Sequence, residues 1–306
     1  MPPITRIACI GEVMIELIAG HGNAAELNVA GDTYNTAVYL KRHARGLDVD
    51  YVTALGRDTF SDRILAHMTA HDVGTKAVAR HPTRMPGLYA IETDALGERS
   101  FSYWRETSAA RTLFDSDGAE GVPRNAAEVL AHYDLVLLTG ITLAILSCNA
   151  RNRLMTAIDA YRAGGGQIAF DSNYRPHLWN DPALARRETE AMWQRTDIAL
   201  PSVDDEIALF GDADEAAVLA RLADCGIKAG ALKCAEAGPV NLGSDSTRAK
   251  VSPATQVVDT TAAGDSFNAG YIAALALGAT PTDAMIAGHT LALQVIAKRG
   301  GIVDTD

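Results

Sequence analysis

The stretch Asp259-Thr260-Thr261-Ala262-Ala263-Gly264-Asp265 sets a carboxylate beside the start of a helix. From Phe267 to Leu277 the chain is small, apolar and free of proline, which predicts a buried helix; Gln256-Val257-Val258 before it predicts the end of a buried strand. A helix start carries unpaired N–H groups and favours anions. Ala262, Ala263 and Gly264 are small enough for a ligand to reach the backbone. Asp265 then stands next to the anion, although an N-cap role explains an aspartate there more simply if spacing is the only guide. A carboxylate beside an anion hole suits one reaction well. A substrate hydroxyl attacks a terminal phosphoryl group, the N–H groups stabilise the developing charge, and the aspartate takes the hydroxyl proton.

Other polar residues lie where the chain leaves a strand or enters a helix. Gly31 permits close approach, Asp32 or Thr33 can cap the helix carrying Ala37, Val38 and Leu40, and Asp32 and Asn35 fall on its first turn. Gly87–Glu92 and Glu98–Arg105 read as two strands around a turn at Asp94-Ala95-Leu96-Gly97. Phe101, Tyr103 and Arg105 would share one face, where the arginine could clamp a carboxylate or simply pair with an aromatic ring. Asp171-Ser172-Asn173-Tyr174-Arg175 follows the apolar run Gln167–Phe170. Asp204, Asp205 and Glu206 follow Ile198–Ser202; such acids orient Mg²⁺ through water or merely favour a helix start. Lys233 ends the run Ala229–Lys233, shortly before a Gly238-Pro239 turn. His67 and His71 share a helical face, but no third ligand accompanies them, so a solvated face is expected there rather than a metal site.

These positions require a scaffold of alternating strands and helices. Arg6–Glu12, Val49–Leu55, Asp134–Gly140, Gln167–Phe170, Ile198–Ser202 and Ala229–Lys233 read as strands. Helices are expected at Ser61–Ala70, Asn149–Ala163 and Asp283–Lys298. That rhythm predicts an α/β fold, a three-layer α/β/α sandwich with a mainly parallel sheet, in a single domain over residues 1–306. The strands of 86–105, with those within 12–30, are left over and can form a small sheet that covers the site as a lid.

A net charge of −11 argues against nucleic acid and anionic membrane surfaces as partners. The apolar run Ile7–Ile18 contains Glu12 and Glu16 and lacks a basic leader, so no signal peptide is expected; Leu135–Leu146 is too short to span a bilayer. Four cysteines without Cys-x-x-Cys spacing suit a cytoplasmic protein with reduced thiols. A Walker A loop and a Gly-x-Gly-x-x-Gly after the first strand are both missing, which weakens the readings as a P-loop NTPase or a dinucleotide dehydrogenase.

The Asp259–Asp265 stretch resembles the C-terminal signature of the ribokinase/PfkB carbohydrate kinases. Gly31-Asp32-Thr33-Tyr34-Asn35 resembles that family's N-terminal glycine motif, and Pro201-Ser202-Val203-Asp204-Asp205 its Asn-x-x-Glu element. Gly11–Leu17, Pro86–Tyr89, Tyr103–Arg105 and Asn173–Pro176 are similar to the branch that phosphorylates 2-keto-3-deoxygluconate on its 6-hydroxyl. The resemblance implies a ribokinase-like fold, ATP and Mg²⁺ as cofactors, and Asp265 as the base with Ala262, Ala263 and Gly264 as the anion hole. It also implies that Gly31, Asp32, Asn35, Tyr89, Tyr103, Arg105 and Arg175 hold the sugar acid. Asn173, Lys233, Gly238 and Gly264 would border ATP, and Asp205 or Glu206 would act through Mg²⁺. A neutral-sugar kinase of fructokinase or ribokinase type is the nearest alternative, and a non-catalytic sugar or nucleotide sensor a more distant one. Ala262 stands where the general pattern has glycine, which a methyl group tolerates only if residue 262 avoids positive φ. The lid edge invites pairing into a homodimer.

Overall fold

The computed structural model describes residues 3–20, 24–93, 99–115, 126–243 and 245–305. In chain order the strands and α-helices are β1 (Arg6–Ile10), β2 (Met14–Ala19), β3 (Ala25–Ala30), α1 (Asp32–His43), β4 (Asp48–Leu55), α2 (Thr59–Ala70), β5 (Val78–Arg80), β6 (Gly87–Thr93) and β7 (Arg99–Trp104). There follow α3 (Ala126–Leu130), β8 (Leu135–Thr139), α4 (Gly140–Ile145), α5 (Cys148–Ala163), β9 (Gln167–Asp171), α6 (Pro182–Trp193) and β10 (Ile198–Ala199). The chain ends with α7 (Val203–Phe210), α8 (Glu215–Asp224), β11 (Ala231–Leu232), β12 (Val240–Asn241), α9 (Ala263–Ala276) and α10 (Pro281–Ile296).

The central sheet runs β10-β9-β8-β1-β4-β5, every pairing parallel. Its strands are apolar on both faces, as a parallel sheet covered on both sides must be. In β1, Ala8 and Ile10 enter a core shared with Leu154, Ile158, Met192 and Leu222 of the helices on one face. Ile7 and Cys9 enter a second core, with Tyr39, Ile64, Met285 and Leu291 on the other. This two-residue alternation places one helical layer on each side. Parallel bridges from Ala199 to Gly230 and from Ser202 to Lys233 carry the β11 segment past β10. Among the described residues, no helix is long and apolar enough to cross a membrane.

The left-over strands do form a separate sheet, ordered β3-β2-β6-β7. Its register aligns Asn28, Glu16, Tyr89 and Tyr103 in one row across the four strands. The turn expected at Asp94–Gly97 lies outside the described residues.

Three sequence expectations change. Residues 256–258 are not a strand, and Val257 and Val258 are 57% and 45% exposed; a β-branched valine signals a strand end equally well when, like Val257, it borders a cavity. Gly31, not Asp32 or Thr33, occupies the cap position of α1, because a Cβ there would overlap the Glu12 carbonyl. The His67 and His71 face is not fully solvated: His67 Nδ1 lies 2.6 Å from Tyr34 Oη, and the two imidazoles pack edge to face. The sequence pattern also passed over α4, α6 and α8, which close the layer around α5.

Candidate active site

Two cavities meet at the carboxyl ends of the central strands, where open α/β sheets bind ligands. One, of about 600 Å³, lies under the lid sheet and reaches Asp265. The other, of about 360 Å³, is mostly apolar, with Pro253, Ala254, Val257, Phe267 and Ile296 in its walls. Ser202, Asp204, Lys233, Thr260, Ala263 and Gly264 line both. The start of α9 therefore stands at the passage between them.

The loop before α9 is tied down at both ends. Asp259 accepts from Thr261 N (2.9 Å) and Gly300 N (2.7 Å), which fastens it to the C-terminal segment. Ala262 caps the helix in the left-handed region, at φ 61° and ψ 16°. The condition that residue 262 avoid positive φ is thus not met, and an alanine holds a conformation that costs about 1 kcal/mol or more without glycine. Ala263 donates its N–H to Thr260 O (3.2 Å), so one of the three expected anion donors is committed within the turn.

Asp265 Oδ2 accepts from Asn35 Nδ2 (2.9 Å), and its backbone carbonyl accepts from Thr36 Oγ1 (3.1 Å), so α1 fixes both ends of the residue. Burial of the carboxyl and the negative charge of nearby Asp32 push its pKa up to about 8; the Asn35 bond opposes this. Asp32 is itself held by Thr139 Oγ1 (2.5 Å) and Asn173 Nδ2 (3.0 Å). A third carboxylate, Asp171, accepts from Lys233 Nζ (2.5 Å) and Asn268 Nδ2 (2.7 Å). The Lys233 ammonium also reaches Asn268 Oδ1 (3.1 Å), beside the Gly264 turn.

The roof of the larger cavity is an aromatic and cationic surface. Tyr89 stacks on Tyr103, and Tyr103 on Phe101 and His177. Arg105 lies over the Tyr103 ring, 5.9 Å from its centre, and is almost wholly buried. Its guanidinium pairs with the buried carboxylate of Glu12, and Tyr89 Oη donates to Glu16 Oε1 (2.5 Å). Arg175, about half exposed, donates to its neighbour's carbonyl and lies 3.4 Å from Asp205. Burial and the two arginines lower the pKa of His177.

Gly31, Asp32, Asn35, Tyr89, Tyr103, Arg105 and Arg175 thus all line one cavity with Asp265 and residues 262–264. Other positions differ from expectation. Asn173 lines this cavity and holds Asp32, rather than bordering the apolar one. Gly238 is not in either wall; Ala235, Glu236 and Pro239 around it line the smaller cavity. Asp205 lines the larger cavity, but Glu206 is fully buried and clamped by Arg221 (2.8 Å), because its place on α7 turns it toward α8.

The pattern of the pfkB family carbohydrate kinases matches residues 4–306. The chain belongs to this family. It is 43% identical over 306 residues to a 2-dehydro-3-deoxygluconokinase of Dickeya dadantii, covering 97% of this chain and 96% of that one. It is 41% identical over 304 residues to the Escherichia coli K12 protein of the same name, covering 97% of each. A crystal structure of a PfkB protein from Polaromonas sp. JS666 superposes with a TM-score of 0.82 at 26% identity, covering 96% of both chains.

Carbohydrate kinases use ATP, and in this pfkB kinase two joined cavities meet at the start of α9. Some groups in and behind the cavity walls gave no sign in the sequence of what they would pair with. His177 carries no motif of its own, and only the roof geometry brings it to Tyr103. Asp171 and Asn268 are 97 residues apart in the chain and meet only because α9 packs against the end of β9. Glu12 and Glu16 were visible as charges interrupting an apolar run, a signal for buried pairing that their strand setting makes legible afterwards.

Proposed function

We propose that this kinase transfers the γ-phosphoryl group of ATP to the 6-hydroxyl of 2-keto-3-deoxygluconate. The observation that carries the reading is the company Asp265 keeps: Arg105, Arg175 and His177 line the same cavity. Arg105 and Arg175 keep their ion pairs with Glu12 and Asp205 in either case, but a sugar acid adds a carboxylate for their remaining N–H groups to bind, which a neutral sugar does not. Asp265 takes the proton of the hydroxyl, and the N–H groups of Ala262 and Gly264 with Lys233 receive the charge of the transferring phosphoryl group. The adenine end of ATP occupies the apolar cavity, and its phosphates pass Gly264 to reach Asp265.

Mg²⁺ bound to ATP needs only one or two protein carboxylates, and Asp204 and Asp205, both lining the larger cavity, fit that requirement. Buried Glu206, already paired with Arg221, does not. When bound, the ion offsets the charge of the phosphates. The exposed Trp104, at the end of edge strand β7, supports pairing of two lid sheets in a homodimer; Trp104→Glu is expected to give a monomer in sedimentation analysis.

The test is ADP release with ATP and Mg²⁺ over a panel of keto-deoxy sugar acids and neutral sugars, for wild type and Arg105→Ala. The wild type is expected to favour the sugar acid, and Arg105→Ala to lose more on it than on a neutral sugar. Equal losses on both would remove the carboxylate clamp from the mechanism.

A further inference from the structure

Arg105 cannot take up its place unaided. It follows β7 in a wall that buries it to 4% exposure, and a guanidinium there has to be paired. The partner is Glu12, 1% exposed, in the turn between β1 and β2. Glu12 Oε2 accepts from Arg105 Nε at 2.8 Å and also from Nη2, so one oxygen spans the inner edge of the fork. Nη1 lies outside this pair, and the residue lines the cavity. Oε1 of Glu12 is buried, with no hydrogen-bond partner among the described residues. Gly87 sits flush against the pair: a Cβ there would come 2.8 Å from that oxygen and 3.1 Å from Arg105 Cβ. A salt bridge kept only for stability is an unfavourable choice at such a site, because an apolar pair of similar volume is often as stable or more so.

We infer that Glu12 is a positioning residue for the sugar site: it fixes the inner edge of the Arg105 guanidinium so that the outer edge is presented to the substrate carboxylate. The inference rests on the reading of the cavity as a sugar-acid site. Glu12 never touches the substrate in this arrangement. It connects the turn leaving the central sheet to the last residue of the lid hairpin, so the arginine's aim depends on how the lid sits on the sheet.

The experiment compares wild type, Glu12→Gln, Arg105→Ala and the double variant, with steady-state kinetics on 2-keto-3-deoxygluconate and thermal melting of each. Glu12→Gln keeps the shape and removes the charge. It is expected to raise KM for the sugar acid roughly tenfold or more, the size of one charge-assisted hydrogen bond, with kcat within about twofold and KM for ATP unchanged. In the Arg105→Ala background the same change should add little, since the group it positions is gone. Glu12→Asp, which keeps the charge but shortens the reach, should give an intermediate KM; it decides the question if Glu12→Gln does not fold. A lowered melting temperature with unchanged KM would overturn the inference, as would losses that add fully in the double variant. If the wild type prefers a neutral sugar, the functional reading fails separately. The same coupling measured on that sugar still decides the role of Glu12.

Discussion

Replacing Asp265 by asparagine isolates proton acceptance from binding. The amide keeps the size of the carboxylate, its Oδ1 can still accept from Asn35 Nδ2, and the Thr36 bond to the 265 carbonyl is unaffected. What disappears is the carboxylate proposed as the base, whose pKa burial and Asp32 push up to about 8. General-base catalysis contributes roughly 10²–10⁴-fold, and a pKa near the working pH places Asp265 in the effective part of that range. We therefore expect kcat to fall by about 10³-fold, with both KM values within a few-fold of wild type, in a coupled ADP-release assay. The pH profile supplies an independent check. In the free enzyme the carboxyl must lose its proton to act, so wild-type kcat/KM for the sugar should rise with pH and level off above about 8. A base that titrates near 8 would leave about one-tenth of the enzyme active at pH 7. The variant's residual activity should lack that limb. Turnover within tenfold of wild type, or an unchanged limb in Asp265→Asn, would refute the assignment. Linkage gives a further consequence. The folded protein retains a proton on Asp265 between about pH 4 and 8 that the unfolded chain releases, so this residue lowers stability as pH rises through that window. Asp265→Asn should accordingly gain stability over wild type in urea unfolding at pH 8.5, with the difference vanishing toward pH 4.

Asp32→Asn removes the like charge that helps raise Asp265, so the acid limb of kcat/KM should move to lower pH; a limb that stays in place would show that burial alone sets it. Ala262→Gly relieves a left-handed alanine and should raise the unfolding free energy by about 0.5–1 kcal/mol, net of glycine's greater freedom in the unfolded chain. A loss of stability would mean that the φ of 61° carries no strain.

The sequence by itself determined the α/β scaffold, the separate lid strands and the stretch 259–265. Each rests on local chemistry: two-sided apolar strands, alternating aromatic residues along a hairpin, and small residues before a buried helix all leave marks within a few neighbours in the chain. Tertiary structure alone decided which polar groups face one another. Val257 and Val258 have the composition of a strand end, and nothing within ten residues says that both are exposed and that Val257 borders a cavity. Glu206 sits one residue from Asp205, yet the turn of α7 sends it to Arg221 instead of the cavity. The pairs that tune the site (Asp265 with Asn35, Lys233 with Asp171, Arg105 with Glu12) span 230, 62 and 93 residues. Burial and the distance between charges set the pKa of Asp265 and the aim of Arg105, and both are fixed only when the helices and the lid have packed on the sheet.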